Sequence, residues 1–177
     1  YVLDASKPND ASTPSNNFIR AFEEDNEGNI WVGTIGGGIS VYNPVSNKFS
    51  YFNKANSGLP SNYVLSIMQD TKGNMWVGTG GNGLGLLTKG STRFKALSEQ
   101  DGLANGTIQK IVEDATGKIW VSTHNGLSCY NPATGKFKNY STHNGLQSGA
   151  FIPRAGLRLQ NGELYFGGQN GFNHFNP

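Results

Sequence analysis

Asp25-Asn26-Glu27-Gly28-Asn29-Ile30-Trp31-Val32-Gly33-Thr34 decides the fold of this chain, because the chain repeats it. It returns as Asp70-Thr71-Lys72-Gly73-Asn74-Met75-Trp76-Val77-Gly78-Thr79 and as Asp114-Ala115-Thr116-Gly117-Lys118-Ile119-Trp120-Val121-Ser122-Thr123. A worn fourth copy runs Leu159-Gln160-Asn161-Gly162-Glu163-Leu164-Tyr165-Phe166-Gly167-Gly168. Trp31, Trp76, Trp120 and Tyr165 follow one another at 45, 44 and 45 residues. A fixed period of that length marks a repeat architecture, and a β-propeller with one blade per repeat fits it best.

Within each copy the apolar residues alternate with a period of two, which is strand patterning. In the third repeat, Ile108 to Glu113 reads as a first strand and Lys118 to Thr123 as a second. Leu127 to Tyr130 reads as a third and Lys136 to Tyr140 as the outer fourth. Asp-x-x-Gly and Asn-Gly between them supply the side-chain hydrogen bonds and positive φ that hairpin turns require. Asn43-Pro44 and Asn131-Pro132 end third strands, since Pro cannot donate to a ladder. The fold class is therefore all-β, a β-propeller of four-stranded antiparallel blades forming part of a larger ring. No convincing helical stretch is present. The boundaries expected are 1–15 for the outer strand and loop of a preceding blade, then blades at 16–61, 62–106, 107–149 and 150–177. The last lacks its outer strand. Tyr1-Val2-Leu3 has the phase of an outer strand, and Tyr1 to Asp4 could complete the last blade. The reading preferred is a chain cut from a longer protein, which exposes apolar blade faces at both ends. Self-association or altered closure is then expected, with Tyr1 to Leu3 pairing beside Phe172 to Phe175 of the same or a partner chain.

The Trp residues invite a sugar-stacking role, but a bulky residue at one phase of every repeat is expected to pack blade on blade. Gly33, Gly78 and Gly167 mark close approach to the adjacent blade. Composition narrows the function classes. The net charge is +2 over 177 residues, with 15% charged residues and no cluster of Lys or Arg, which argues against a nucleic-acid partner. The 25 glycines fall at repeat-phased turns. No apolar run is long enough to cross a bilayer. Cys129 alternates with Leu127 on a strand and reads as a packed core thiol.

The motifs resemble the two-component regulator propeller family, whose blades read Asp-x-x-Gly-x-Ile/Leu-Trp-Val/Ile-Gly-Thr, then a Gly-rich or Asn-Gly-Leu turn, then Tyr/Phe-Asn-Pro and Gly-Leu. Here these are Asp25 to Thr34, Gly36-Gly37-Gly38-Ile39, Tyr42-Asn43-Pro44 and Gly58-Leu59, with Asn82-Gly83-Leu84, Asn125-Gly126-Leu127, Gly102-Leu103 and Gly145-Leu146 after them. The likeness covers residues 16–177. It implies the periplasmic sensor region of a hybrid histidine kinase, in which such propellers detect oligosaccharides and precede a β-sandwich domain, a membrane span and the kinase. The membrane would be reached only through that parent protein. Four repeats are fewer than the seven blades usual in the family.

Chemistry of the chain's own is not expected. His124, His143 and His174 lack metal-ligand spacing, no cofactor is implied, and Asp25, Asp70 and Asp114 are explained as turn caps. Glu99 and Asp101 are the only acids in the blade-to-blade loops after the first repeat. Gly36-Gly37-Gly38 precedes no helix and is read as a turn rather than a phosphate cradle. His124 and His143 belong to loops opening on one face, as neighbours at a ligand site or as solvated loop residues. On that face the candidate ligand-binding residues are Arg20, Asn62, Tyr63, His124, Asn125, His143, Asn144, Arg154, Gln169 and Asn170. They are polar or aromatic, do not repeat, and can vary without damaging blade packing. Arg20 and Arg154 begin first strands, where they could meet an acidic sugar or cap neighbouring carbonyls. Two other readings stay open: an enzyme resembling the streptogramin B lyases, which carry a metal and a catalytic His, and a purely structural or dimerising propeller segment.

Overall fold

The computed structural model describes residues 1, 2 and 11–177. Its strands form four antiparallel sheets in chain order. The first holds β1 (Ile19–Glu24), β2 (Ile30–Thr34), β3 (Ile39–Asn43) and β4 (Lys48–Phe52). The second holds β5 (Val64–Gln69), β6 (Met75–Thr79), β7 (Leu84–Leu87) and β8 (Lys95–Leu97). The third holds β9 (Ile108–Glu113), β10 (Ile119–Thr123), β11 (Gly126–Asn131) and β12 (Lys136–Tyr140). The fourth has three strands, β13 (Phe151–Arg158), β14 (Leu164–Gly168) and β15 (Gly171–Phe175). Each sheet is a meander of neighbouring strands, which is the blade pattern.

Turn chemistry sets the hairpins. Asp114 Oδ1 accepts from the amides of Thr116 and Lys118, and Gly117 takes φ +80°. At the second-to-third-strand turns, the hydroxyls of Thr34, Thr79 and Thr123 donate to the carbonyls of Gly38, Gly83 and Gly126.

Helix is present after all, as one short turn in each link between blades: α1 (Lys54–Ser57) and 3-10 turns at Glu99–Asp101 and Thr142–Asn144. Asn53, Ser98 and Ser141 open them with capping boxes, and Gly58, Gly102 and Gly145 close them in the left-handed conformation. A single capped turn has no hydrophobic period, so patterning is blind to it. The turns deliver Leu59 and Leu103 into the core, where they are buried.

Between blades, the tryptophans pack as expected. Trp31 stacks on Phe52 at 5.4 Å within a cluster that includes Val64, Ile67 and Phe94 of the second blade. Trp76 meets Ile108 and Ile111, and Trp120 meets Phe151, Leu164 and Phe166. A methyl group on Gly33 would lie 2.6 Å from Val64 Cγ1, and one on Gly78 2.6 Å from Ile108 Cγ2, so both mark close approach to the next blade. Gly167 departs from that expectation: its nearest neighbour is Ala155 of its own sheet. Cys129 is buried, and burial followed by the charge of Asp114 pushes its thiol pKa up to about 11.

The chain end differs from expectation too. The Tyr1 ring packs against Tyr42 and Phe49, 5.1 and 5.3 Å away, on the outer strands of the first blade. Within the chain it is therefore not beside β15, whose ladder partner is β14. Leu3 and Asp4 lie outside the described residues. The Phe49 amide donates to the Ala11 carbonyl and the Tyr51 hydroxyl to that of Thr13, so residues 11–13 run along the first blade. Phe22 on one outward face and Leu157 and Phe172 on the other are at least half exposed.

Candidate functional site

The four innermost strands share a defect. The β1–β2 register slips between Ile19 and Ala21, and β5–β6 slips between Val64 and Ser66. In β9–β10, Thr123 pairs with Ile108 and Ser122 with Lys110, which skips Gln109. In β13–β14 the slip is wider, from Phe151 to Gly156. A β-bulge leaves its residue outside the ladder and re-aims its side chain. The skipped residues are thus Arg20, Leu65, Gln109 and the stretch holding Pro153 and Arg154.

All of them line one cavity of about 360 Å³. Tyr63 and Thr107, which precede β5 and β9, complete it with Gly80 and His124, which come after β6 and β10. Every blade contributes, so this is the axial site. Gly80 is needed there because a Cβ would sit 2.5 Å from the Tyr63 ring. Arg154 holds φ +65°, a left-handed backbone that is rare outside Gly and tends to occur where a side chain must be presented in one direction. Among the described residues no carboxylate lines the cavity. Gln109 is its most deeply buried polar member, 3% exposed, and its Oε1 has no hydrogen-bond partner among the described residues.

Four of the ten expected residues, Arg20, Tyr63, His124 and Arg154, therefore meet in one place. The rest lie elsewhere. Asn62 joins the first two blades: its carbonyl accepts from the amides of Gly36 and Gly38, and its Oδ1 from Lys54. Asn125 donates its amide to Thr123 Oγ1. His143 and Asn144 sit in the 3-10 turn after β12, with Asn144 Oδ1 accepting from Ser141. His143 does not join His124 in the cavity. The Gln169 amide donates to the Ala150 carbonyl, and the Asn170 side chain donates to Ser148. Glu99 and Asp101 are engaged in their own loop, by the Gly106 amide and by Ser98. His174 stacks on Tyr165 at 5.2 Å. Among the described residues no group of three His, Cys, Asp or Glu side chains could hold a metal. Gln109 was missed by sequence reasoning, since nothing local distinguishes it from any strand Gln and the bulge that singles it out is a matter of strand register.

A larger cavity, about 600 Å³, lies between β12 and β15, bounded by Trp120, Tyr140 and Phe175. β4, β8 and β12 each flank the third strand of their sheet, and β15 has no such neighbour among the described residues.

Residues 13–36, 58–81 and 102–125 match the two component regulator propeller family. The chain is similar to the extracellular domain of the putative hybrid two component system BT3049 from B. thetaiotaomicron, with 35% identity and a TM-score of 0.86 over all of this chain and 23% of that one. The corresponding domain of BT4673 from the same organism shows 25% identity and a TM-score of 0.75, over 90% of this chain and 21% of that one. Histidine kinase P4 of Formosa agariphila is 32% identical over 89 residues, half of this chain and 6% of the relative. The chain thus spans less than a quarter of each of these proteins. Virginiamycin B lyase from Staphylococcus aureus shares the fold, at 17% identity and a TM-score of 0.67 over 90% of this chain and 56% of that one. The chain carries two-component regulator propeller repeats and is homologous to part of the extracellular domain of a hybrid two-component system.

Proposed function

We propose that this segment is the ligand-sensing part of a periplasmic sensor region, detects an oligosaccharide, and has no catalytic activity of its own. The supporting observation is the axial cavity, to which all four blades contribute polar or aromatic side chains and which has a neutral amide at depth. Such a mixture suits a polyhydroxylated ligand, with rings to stack and fixed donors to orient it. Segments 16–61, 62–106, 107–149 and 150–177 each act as one blade, with 1–15 leading in from a preceding one. Signal would pass to a histidine kinase in the same chain as a change in how the ligand-bound ring packs on its neighbouring domain. The exposed faces around Phe22 and Phe172 would be covered by further blades or by a second copy.

Calorimetric titration of an oligosaccharide panel into the complete extracellular region tests this. One saccharide class is expected to bind, and Arg154→Ala and His124→Ala to weaken it at least tenfold. Unchanged affinity in both variants would remove the axial cavity as the site.

A further inference from the structure

We infer that the bulge residue of each inner strand is the recognition position of its blade, and that this set selects an anionic saccharide. The inference rests on the sensing role proposed above. At one phase of the repeat the bulges place Arg20, Leu65, Gln109 and Arg154 around the same cavity. The second strands, Ile30–Thr34, Met75–Thr79 and Ile119–Thr123, agree closely, because blade packing constrains them. The bulge position carries a different residue type in neighbouring blades, because a skipped residue owes nothing to the ladder.

The chemistry of the set defines the ligand. Arg20 and Arg154 have neither an acidic partner nor a hydrogen bond among the described residues, and no carboxylate lines the cavity. Two unpaired guanidinium groups there favour a ligand that brings its own negative charge, and their forked donors match a carboxylate or sulfate. Gln109 supplies the second requirement. A buried amide oxygen without a partner is costly, and a half-turn of the amide offers either end to the cavity. A ligand hydroxyl beside the anionic group would satisfy it. Leu65 gives a small apolar surface, and the Tyr63 ring, 41% exposed, gives a face on which a sugar can stack. An acid group, a neighbouring hydroxyl and a ring face together describe a uronate or a sulfated sugar.

The test is an array of carboxylated, sulfated and neutral oligosaccharides probed with the complete extracellular region. Binding confined to carboxylated or sulfated members is expected, and which of the two binds identifies the anion. For the tightest binder, Arg20→Ala and Arg154→Ala should each lower affinity at least tenfold, and raising salt from 50 to 500 mM should weaken wild type more than either variant. Gln109→Leu should weaken binding at least fivefold without lowering the melting temperature. Binding confined to neutral members would overturn this inference and leave oligosaccharide sensing standing. Binding to no member would overturn both. Anionic binding indifferent to Arg20→Ala, Arg154→Ala and Gln109→Leu would overturn the assignment of the bulge positions.

Discussion

The Trp76 indole N–H donates to Asp70 Oδ2 at 2.8 Å, and both side chains are buried. The same bond joins Trp31 to Asp25 at 2.8 Å and Trp120 to Asp114 at 2.9 Å. A tryptophan can fill a blade interface only if its N–H finds an acceptor there, and the carboxylate six residues earlier provides it. The fourth repeat shows that the turn itself does not need the acid. Leu159 makes the same two backbone hydrogen bonds, with Glu163 and Gly162, that Asp114 makes with Lys118 and Gly117. There both members of the pair have changed together, Asp to Leu and Trp to Tyr.

Removing the acceptor should therefore unsettle an interface as well as a turn. Asp70→Ala leaves a buried indole N–H unpaired and should cost about 1–3 kcal/mol. Asp70→Asn, which keeps one acceptor oxygen but loses the charge, should cost less. Urea unfolding of both variants measures this, and a loss under about 0.5 kcal/mol for Asp70→Ala would contradict the pairing.

Rebuilding the clamp in the last blade is the converse experiment. Leu159→Asp alone gains turn amides but no indole partner, and Tyr165→Trp alone brings an unpaired N–H. The double variant should be more stable than the sum of the singles by about 0.5–1.5 kcal/mol. A double-mutant cycle giving simple additivity would count against it.

Acid should loosen these interfaces. Burial alone would raise the pKa of Asp25, but hydrogen bonds from Trp31, Asn29 and the backbone outweigh it and hold the carboxyl below the usual range. Asp114 behaves alike, with Thr116 and Trp120 as the main donors. A depressed folded-state pKa contributes stability that is complete above the unfolded value, near 3.9, and is lost as pH falls through the folded value. Melting temperature should thus hold steady down to about pH 5 and fall steeply below about 4. Asp25→Asn with Asp114→Asn should flatten that fall.

Position 122 offers a contrast with its counterpart in the blade before. Ser122 is fully buried and its Oγ has no partner among the described residues. Ser122→Ala should stabilise by about 1 kcal/mol through removal of an unsatisfied hydroxyl. Gly78→Ala, at the same phase, puts a methyl 2.6 Å from Ile108 Cγ2 and should destabilise by about 1–3 kcal/mol. Opposite signs in thermal unfolding are the expected result.

The period, the four-strand blade and the burial of Trp31, Trp76 and Trp120 were legible because they rest on local alternation and repetition. The partner of each tryptophan was not: Asp25, Asp70 and Asp114 cap their turns convincingly enough to hide a second role. Asn62, Asn144, Gln169 and Asn170 looked like ligand contacts because polar loop residues without a repeat suggest binding. Their hydrogen bonds instead tie links and hairpins together. His124 and His143 share a loop face in the repeat scheme, yet only His124 comes after an inner hairpin strand close to the axis. Gln109 stayed hidden because a bulge is a matter of register, and register is invisible until two strands are paired.

The slipped register of the inner strands separates two kinds of change. A substitution at Gly33 or Trp76 is felt by two blades at once, since each is wedged against its neighbour. A substitution at Arg20, Leu65 or Gln109 alters what faces the axis while the ladder on either side keeps its pairing. The propeller segment thus behaves like a combination lock whose tumblers turn one at a time, inside a casing that need not be rebuilt when the key is changed.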